Sequence, residues 1–183
     1  MVTADELEEL LQDCPMLYHM AEQGSWPSIQ ENGLLSTTAL LDRFQISGQE
    51  RISIEAERRS ESIALEKQNI GRAVVRDQLP MDDKGLARCL QDDLAPADWY
   101  RILNSKVFFW LTWERLQRLL NAGQYRLQVH DVLAVDAKAL VSAYDRQIWF
   151  CPMNSGCTKP FPHPPRKQHF PTDRGLSIRG LEV

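Results

Sequence analysis

Four groups of side chains in this 183-residue sequence are of types and at spacings that could do chemistry. The first is His19, within Leu17-Tyr18-His19-Met20, with the pair Gly33-Leu34 downstream. An imidazole can donate to or accept from a sugar hydroxyl, and a glycine lets backbone approach a ligand closely. The second is Gly71-Arg72-Ala73-Val74-Val75-Arg76-Asp77. If Val74 of such a strand faces the core, Arg72 and Arg76 share its face and bring two cations to one cleft, where a guanidinium fork could hold a phosphate. A surface Arg76–Asp77 pair at the strand end accounts for the same residues equally well.

The third group is the run Val107-Phe108-Phe109-Trp110-Leu111-Thr112. Aromatic faces favour a flat cationic ring, although aromatic strands more often serve as core. Only one face of the strand can line a cleft, either Phe109 or the pair Phe108 and Trp110. The fourth group, Cys151, Cys157, His163 and His169, is spaced by six residues throughout. Two thiolates and two imidazoles could complete a tetrahedral zinc site. Zinc ligands usually come in knuckles two to four residues apart, so no metal is expected here. Cys14 and Cys89 fall on helix faces and read as small core residues.

The scaffold for these groups is legible from caps and periodicity. Thr3 with Glu6 forms a capping box ahead of Leu7, Leu10 and Leu11 on one helical face. Pro15 stops that helix, and residues 17–21 follow as a strand carrying His19. Ser25 as N-cap, Pro27 near the first helical position and Gly33 past the end define a short helix. Ser36 or Thr37 caps another. Ser47 with Glu50 suggests a charged, exposed helix running toward Arg59. Strands are expected at 62–65, 73–76, 131–135 and 147–150, and helices at 84–90, 96–103 and 137–144. The strongest strand is 107–112, expected to be central, followed by a helix capped by Thr112 with Leu116, Leu119 and Leu120 inward.

Several strands lack an intervening helix long enough for a parallel crossover, which favours a single α+β domain. Residues 1–158 form that domain. Residues 159–183 are a proline-rich basic segment packed on it or trailing from it, because five prolines between 160 and 171 bar regular structure. The formal charge is −4, split as −7 over residues 1–158 and +3 thereafter, which argues against a general nucleic-acid coat protein. The acidic opening is no secretory signal and no stretch approaches a membrane span, so a cytoplasmic location with reduced cysteines is expected.

The segments Leu17-Tyr18-His19-Met20, Trp26-Pro27-Ser28-Ile29 and Asn32-Gly33-Leu34-Leu35-Ser36 together resemble the opening of ADP-ribosyltransferase-like folds. These include DarT-type DNA modifiers, poly-ADP-ribose polymerases and RNA 2′-phosphotransferases. The aromatic run at 107–110 is a second point of similarity. From roughly residue 10 to 165 the chain also looks like a bacterial family of uncharacterised proteins with this arrangement, extending to Asn154-Ser155-Gly156 and the proline segment.

The resemblance implies a split, twisted sheet with NAD as substrate. His19 would contact the ribose, Gly33 and Leu34 would form the close approach, and Phe109 and Trp110 would flank the nicotinamide. Arg76 would serve the pyrophosphate or the reaction. ADP-ribose would pass to a nucleic-acid or protein acceptor. The superfamily's late-strand glutamate has one counterpart after the proline segment, Glu182, one residue from the end. Two other readings stay open: a nucleotide-binding module of this fold without catalysis, and a small zinc-stabilised interaction domain.

Overall fold

Thr3 opens the first helix as its sequence dictates: its hydroxyl accepts from the Glu6 amide at 3.3 Å, and the Glu6 carboxylate accepts from the Thr3 amide at 2.9 Å. In the computed structural model, which describes residues 2–90, 94–151 and 175–179, this helix is α1 (Ala4–Asp13). It is followed by β1 (Met16–Glu22), α2 (Trp26–Asn32), α3 (Thr37–Arg43) and α4 (Gly48–Glu55). A hairpin of β2 (Ile63–Lys67) and β3 (Gly71–Val75) comes next, then α5 (Asp83–Cys89), α6 (Pro96–Asn104), β4 (Lys106–Trp110) and α7 (Trp113–Leu120). The order closes with β5 (His130–Asp136), α8 (Ala137–Tyr144), a 3-10 turn (Asp145–Gln147), β6 (Ile148–Cys151) and β7 (Gly175–Arg179).

The result is a small α+β domain with eight α-helices among the described residues and two antiparallel sheets. The larger sheet has the order β5-β1-β4-β7-β6, so β4 is its middle strand, as its aromatic and β-branched sequence suggests. The smaller sheet is the β2-β3 hairpin. β7 lies beyond the proline-rich run, where the sequence reading assigns no element; it pairs with β4 on one side and β6 on the other. No helix among the described residues is long and apolar enough to cross a membrane.

Three apolar clusters hold these elements. Leu10, Leu17, Val107, Phe109, Leu140 and Ile148 form the largest, which joins α1 and α8 to one face of the large sheet. Leu41, Phe44, Ile54, Leu65, Ala73 and Val75 pack α3 and α4 on the hairpin. Met81, Leu86, Tyr100 and Leu103 form the third, which Phe108 joins from the other face of β4. Alternation along β4 therefore sends Val107 and Phe109 one way and Phe108 the other.

Three local expectations are corrected. Ser25 precedes α2 but its side chain makes no capping bond, because its backbone is already helical at φ −76°, ψ −19°. The Trp26 amide is met instead by Asp131 Oδ2 at 3.0 Å, reaching across from β5. Ser47 likewise caps nothing with its hydroxyl. The helix read toward Arg59 ends at Glu55, and Arg59 is buried rather than exposed. Its guanidinium donates to the carbonyls of Ile54 and Arg76 and, at 3.0 Å, to Asn104 Oδ1. Asn104 in turn donates to the Glu55 carbonyl at 2.9 Å, so one cation ties α4, α6 and the end of β3 together.

Candidate functional site

His19 sits in the middle of β1, directly across from Leu133 of β5. On its other side the ring reaches β4: Nδ1 lies 2.8 Å from the Phe108 carbonyl oxygen, and the ring centroid lies 5.9 Å from that of Phe109. A carbonyl only accepts, so Nδ1 carries the proton and a neutral ring leaves a lone pair on Nε2. Burial pushes the His19 pKa below its ordinary 6.5; the bond to Phe108 opposes this, and the charge of Arg76 adds to it. At neutral pH the residue is therefore an uncharged acceptor at Nε2. No partner for that atom is found among the described residues.

His19 opens onto a cleft of about 80 Å³ between β1, α2 and β3, whose walls include Glu22, Gly33, Leu34 and Arg76. Gly33 ends α2 by donating to the Ile29 carbonyl at 2.8 Å, and its φ of 79° with ψ of 170° is a conformation that glycine alone adopts easily. Leu34 then packs against the largest core cluster. A second cavity of about 210 Å³, lined by Arg72, Glu31 and Asn32, shares Ser25, Ser28, Ala73 and Val74 with the first as a common wall. The two follow one another along the seam between α2 and the hairpin.

Arg76 is the most enclosed cation of the cleft. Nε lies 3.6 Å from Glu22 Oε2, and Nη2 lies 3.5 Å from Asp77 Oδ2. Nη1 donates to His130 Nδ1 at 3.1 Å and to the Ala21 carbonyl at 3.4 Å, while the guanidinium carbon lies 5.2 Å from the centre of the Tyr125 ring. A guanidinium only donates, so His130 carries its proton on Nε2, which donates to the Tyr125 carbonyl at 3.3 Å. The Tyr125 hydroxyl donates to Asp77 Oδ1 at 2.8 Å; burial raises its pKa, and the Asp77 bond and charge add to this. Glu22, Asp77, His130 and Tyr125 thus fix the Arg76 head group.

The structure brings His19, Gly33, Leu34 and Arg76 around one cleft, with Phe109 against the His19 ring from the core side. Trp110 is not brought there. It pairs with Tyr18 and so lies on the opposite face of the sheet from His19 and Phe109. Phe108 contributes its carbonyl rather than its ring. On β3 the core residues are Ala73 and Val75, not Val74; Arg72, Val74 and Arg76 share the other face, and all three line the cavities. Glu182, Cys157, His163 and His169 lie outside the described residues, as does the side chain of Cys151. Among the described residues no cluster of three or more His, Cys, Asp or Glu side chains could hold a metal ion.

Glu22 is the site residue that sequence reasoning misses. Counted by twos from His19 it belongs to the other face of β1. It is the last residue of the strand, however, and its carbonyl accepts from the Ser25 amide at 3.1 Å in the turn to α2. It still pairs with His130 of β5, and its carboxylate meets the Ser62 hydroxyl and the Arg76 guanidinium beside that residue.

The class of protein defined so far is an α+β domain with a histidine, arginine and glutamate cleft beside its hairpin. The chain belongs to the family of unknown function DUF7002, whose model matches residues 15–175. No curated protein and no solved structure matches it.

Proposed function

We propose that this protein binds NAD in the cleft beside His19 and transfers ADP-ribose to a macromolecular acceptor, nucleic acid or protein, with release of nicotinamide. The observation that carries the reading is the convergence of His19, Gly33-Leu34 and Arg76, three separate stretches of sequence, on one cleft. A neutral His19 offers Nε2 as acceptor for a ribose hydroxyl, and its Nδ1 bond to Phe108 holds the ring in that tautomer. Gly33 keeps a side chain out of the wall where the dinucleotide backbone would pass. Exposed Arg72 in the adjoining cavity is suited to a phosphate, whereas Arg76, already surrounded by carboxylates, is suited to setting the field around the ribose. The separation of the strands into a five-stranded sheet and a hairpin supports the split-sheet fold expected of such proteins. The setting proposed is the cytoplasm, in keeping with a free thiol at Cys14.

Titration calorimetry with NAD, followed by measurement of free nicotinamide, tests the proposal. Binding with nicotinamide release supports a transferase. Binding without release would favour the module that binds a nucleotide and catalyses nothing, and no binding at millimolar NAD would overturn both.

A further inference from the structure

We infer that β5, the edge strand of the large sheet, pairs with β5 of a second copy of this chain, so that one antiparallel sheet runs through both copies. The pairing does not depend on what the cleft beside His19 binds. Its first sign is in the backbone. β5 has β1 on one side and, among the described residues, no strand on the other. The Ala137 amide donates to the Pro15 carbonyl at 3.0 Å, one step past the Met16–Asp136 pair, and this sets the alternation along the ladder. Asp131, Leu133 and Val135 turn their main-chain groups toward β1. His130, Val132, Ala134 and Asp136 turn theirs outward, and for Val132 and Ala134 no partner is found on that side among the described residues.

Sheets usually guard such an edge with a very short strand, lysine, proline or a bulge. β6, at the other edge, is four residues long. β5 is seven, its sequence His-Asp-Val-Leu-Ala-Val-Asp holds neither lysine nor proline, and its register with β1 runs unbroken. The surroundings are apolar as well. Met16, Val132 and Ala134 are exposed on one face of the sheet, and Trp113, in contact with Tyr18, continues the strip. Just ahead of the strand, Leu127 and Val129 stand 89% and 65% exposed. An apolar strip beside open amides is the composition of a contact surface.

The strand's own sequence selects the occupant. A two-fold axis through Leu133 sets Val132 of one copy opposite Ala134 of the other, where each such pair can exchange both main-chain bonds. The same axis sets Asp136 opposite His130 and Asp131 opposite Val135, so all seven residues are paired and no two like charges face each other. The neighbouring symmetric registers are poorer. An axis through Val132 leaves Val135 and Asp136 beyond the partner's strand, and one through Ala134 leaves His130 and Asp131 beyond it. The antiparallel arrangement also carries Leu127 and Val129 of each copy toward the end where the partner's strand runs into α8.

The test is the oligomeric state of the full chain by sedimentation velocity over a range of micromolar concentrations, for the parent, Val132→Lys and Ala134→Pro, with a thermal melt as the folding control. Val132→Lys sets charges of one sign on both sides of the axis, and Ala134→Pro removes an outward amide without touching the ladder to β1. The parent should show a concentration-dependent dimer, and each variant should raise its dissociation constant ~10-fold or more. Hydrogen exchange should agree, with the Val132 and Ala134 amides protected only at concentrations where the parent dimerises and the Leu133 amide, bonded to β1, protected throughout. If Ala134→Pro fails to fold, Val132→Lys and the exchange data decide. A parent that stays monomeric at every concentration overturns the inference. So does a dimer that folded Val132→Lys forms equally well, or one that leaves the Val132 and Ala134 amides unprotected, since either places the contact elsewhere.

Discussion

The Nδ1–H of His19 on β1 donates to the carbonyl oxygen of Phe108 on β4 across 2.8 Å, which fixes the tautomer of a ring whose pKa burial holds below 6.5. The consequence is a defined pH dependence. As pH falls below 6.5, the unfolded chain takes up a proton at residue 19 that the folded chain still refuses, so the folded state loses stability until pH passes the lowered folded pKa. His19→Gln should remove that component. Urea melts from neutral pH downward should show a shallower fall for the variant than for the parent; parallel curves would mean that the ring is not held neutral.

The buried guanidinium of Arg59 gives a second prediction. Arg59→Met leaves the carbonyls of Ile54 and Arg76 and the Oδ1 of Asn104 without their donor. Burial has already lowered the Arg59 pKa to about 10, so removing the charge returns part of the loss. The net cost should be about 2–4 kcal/mol, read as a lower urea midpoint. Arg59→Lys, which keeps a charge but cannot fork to three acceptors, should also be less stable than the parent. A Met variant as stable as the parent would contradict the described network.

Gly33 carries a third. At φ 79°, ψ 170° an alanine is strained by about 1–3 kcal/mol, independent of any contact its methyl makes. Gly33→Ala should therefore melt earlier than the parent and, if the cleft takes a ligand at this wall, should bind that ligand more weakly. Unchanged stability would mean that the turn after α2 is relaxed in solution.

A fourth prediction concerns the core beneath α7. Leu116 is fully buried, and Leu116→Ala should cost about 2–5 kcal/mol, depending on how far its surroundings collapse. Trp113 on the same helix is 40% exposed, so Trp113→Ala should cost clearly less. Equal losses at the two positions would show that α7 is rotated about its axis.

What the sequence makes legible here is what local physics decides. The hydroxyls of Thr3 and Thr112 cap the helices expected of them, of the two candidates Ser36 and Thr37 it is Ser36 that caps α3 by accepting from the Ala39 amide, and the helix at Ala137–Tyr144 begins where Asp136 accepts from Ala139. What escapes it is set by distant chain. Asp131 replaces Ser25 at the start of α2 because β5 happens to lie beside it. Two consecutive valines leave the register of β3 undecided, and only the hairpin's packing selects Val75 over Val74 as the core residue. A charged residue such as Arg59 reads as exposed until the carbonyls that would satisfy it are assembled. In the cleft, His19, Gly33, Leu34 and Arg76 stand out by type and spacing, whereas Glu22 does not, since the period of two puts it on the other face of β1 from His19, and only the approach of Arg76 and Ser62 from distant chain gives it a place there.

The central claim is that the cleft beside His19 receives NAD, and its most direct test is the melting temperature of the parent chain and of His19→Ala over a series of NAD concentrations. A ligand that binds only the folded state adds about 2.7 kcal/mol at a hundred times its dissociation constant. The account predicts a rise in melting temperature with NAD that is much reduced in His19→Ala, with both proteins folded in its absence. A parent melting curve that does not move at millimolar NAD, or an equal rise in the two proteins, would contradict it.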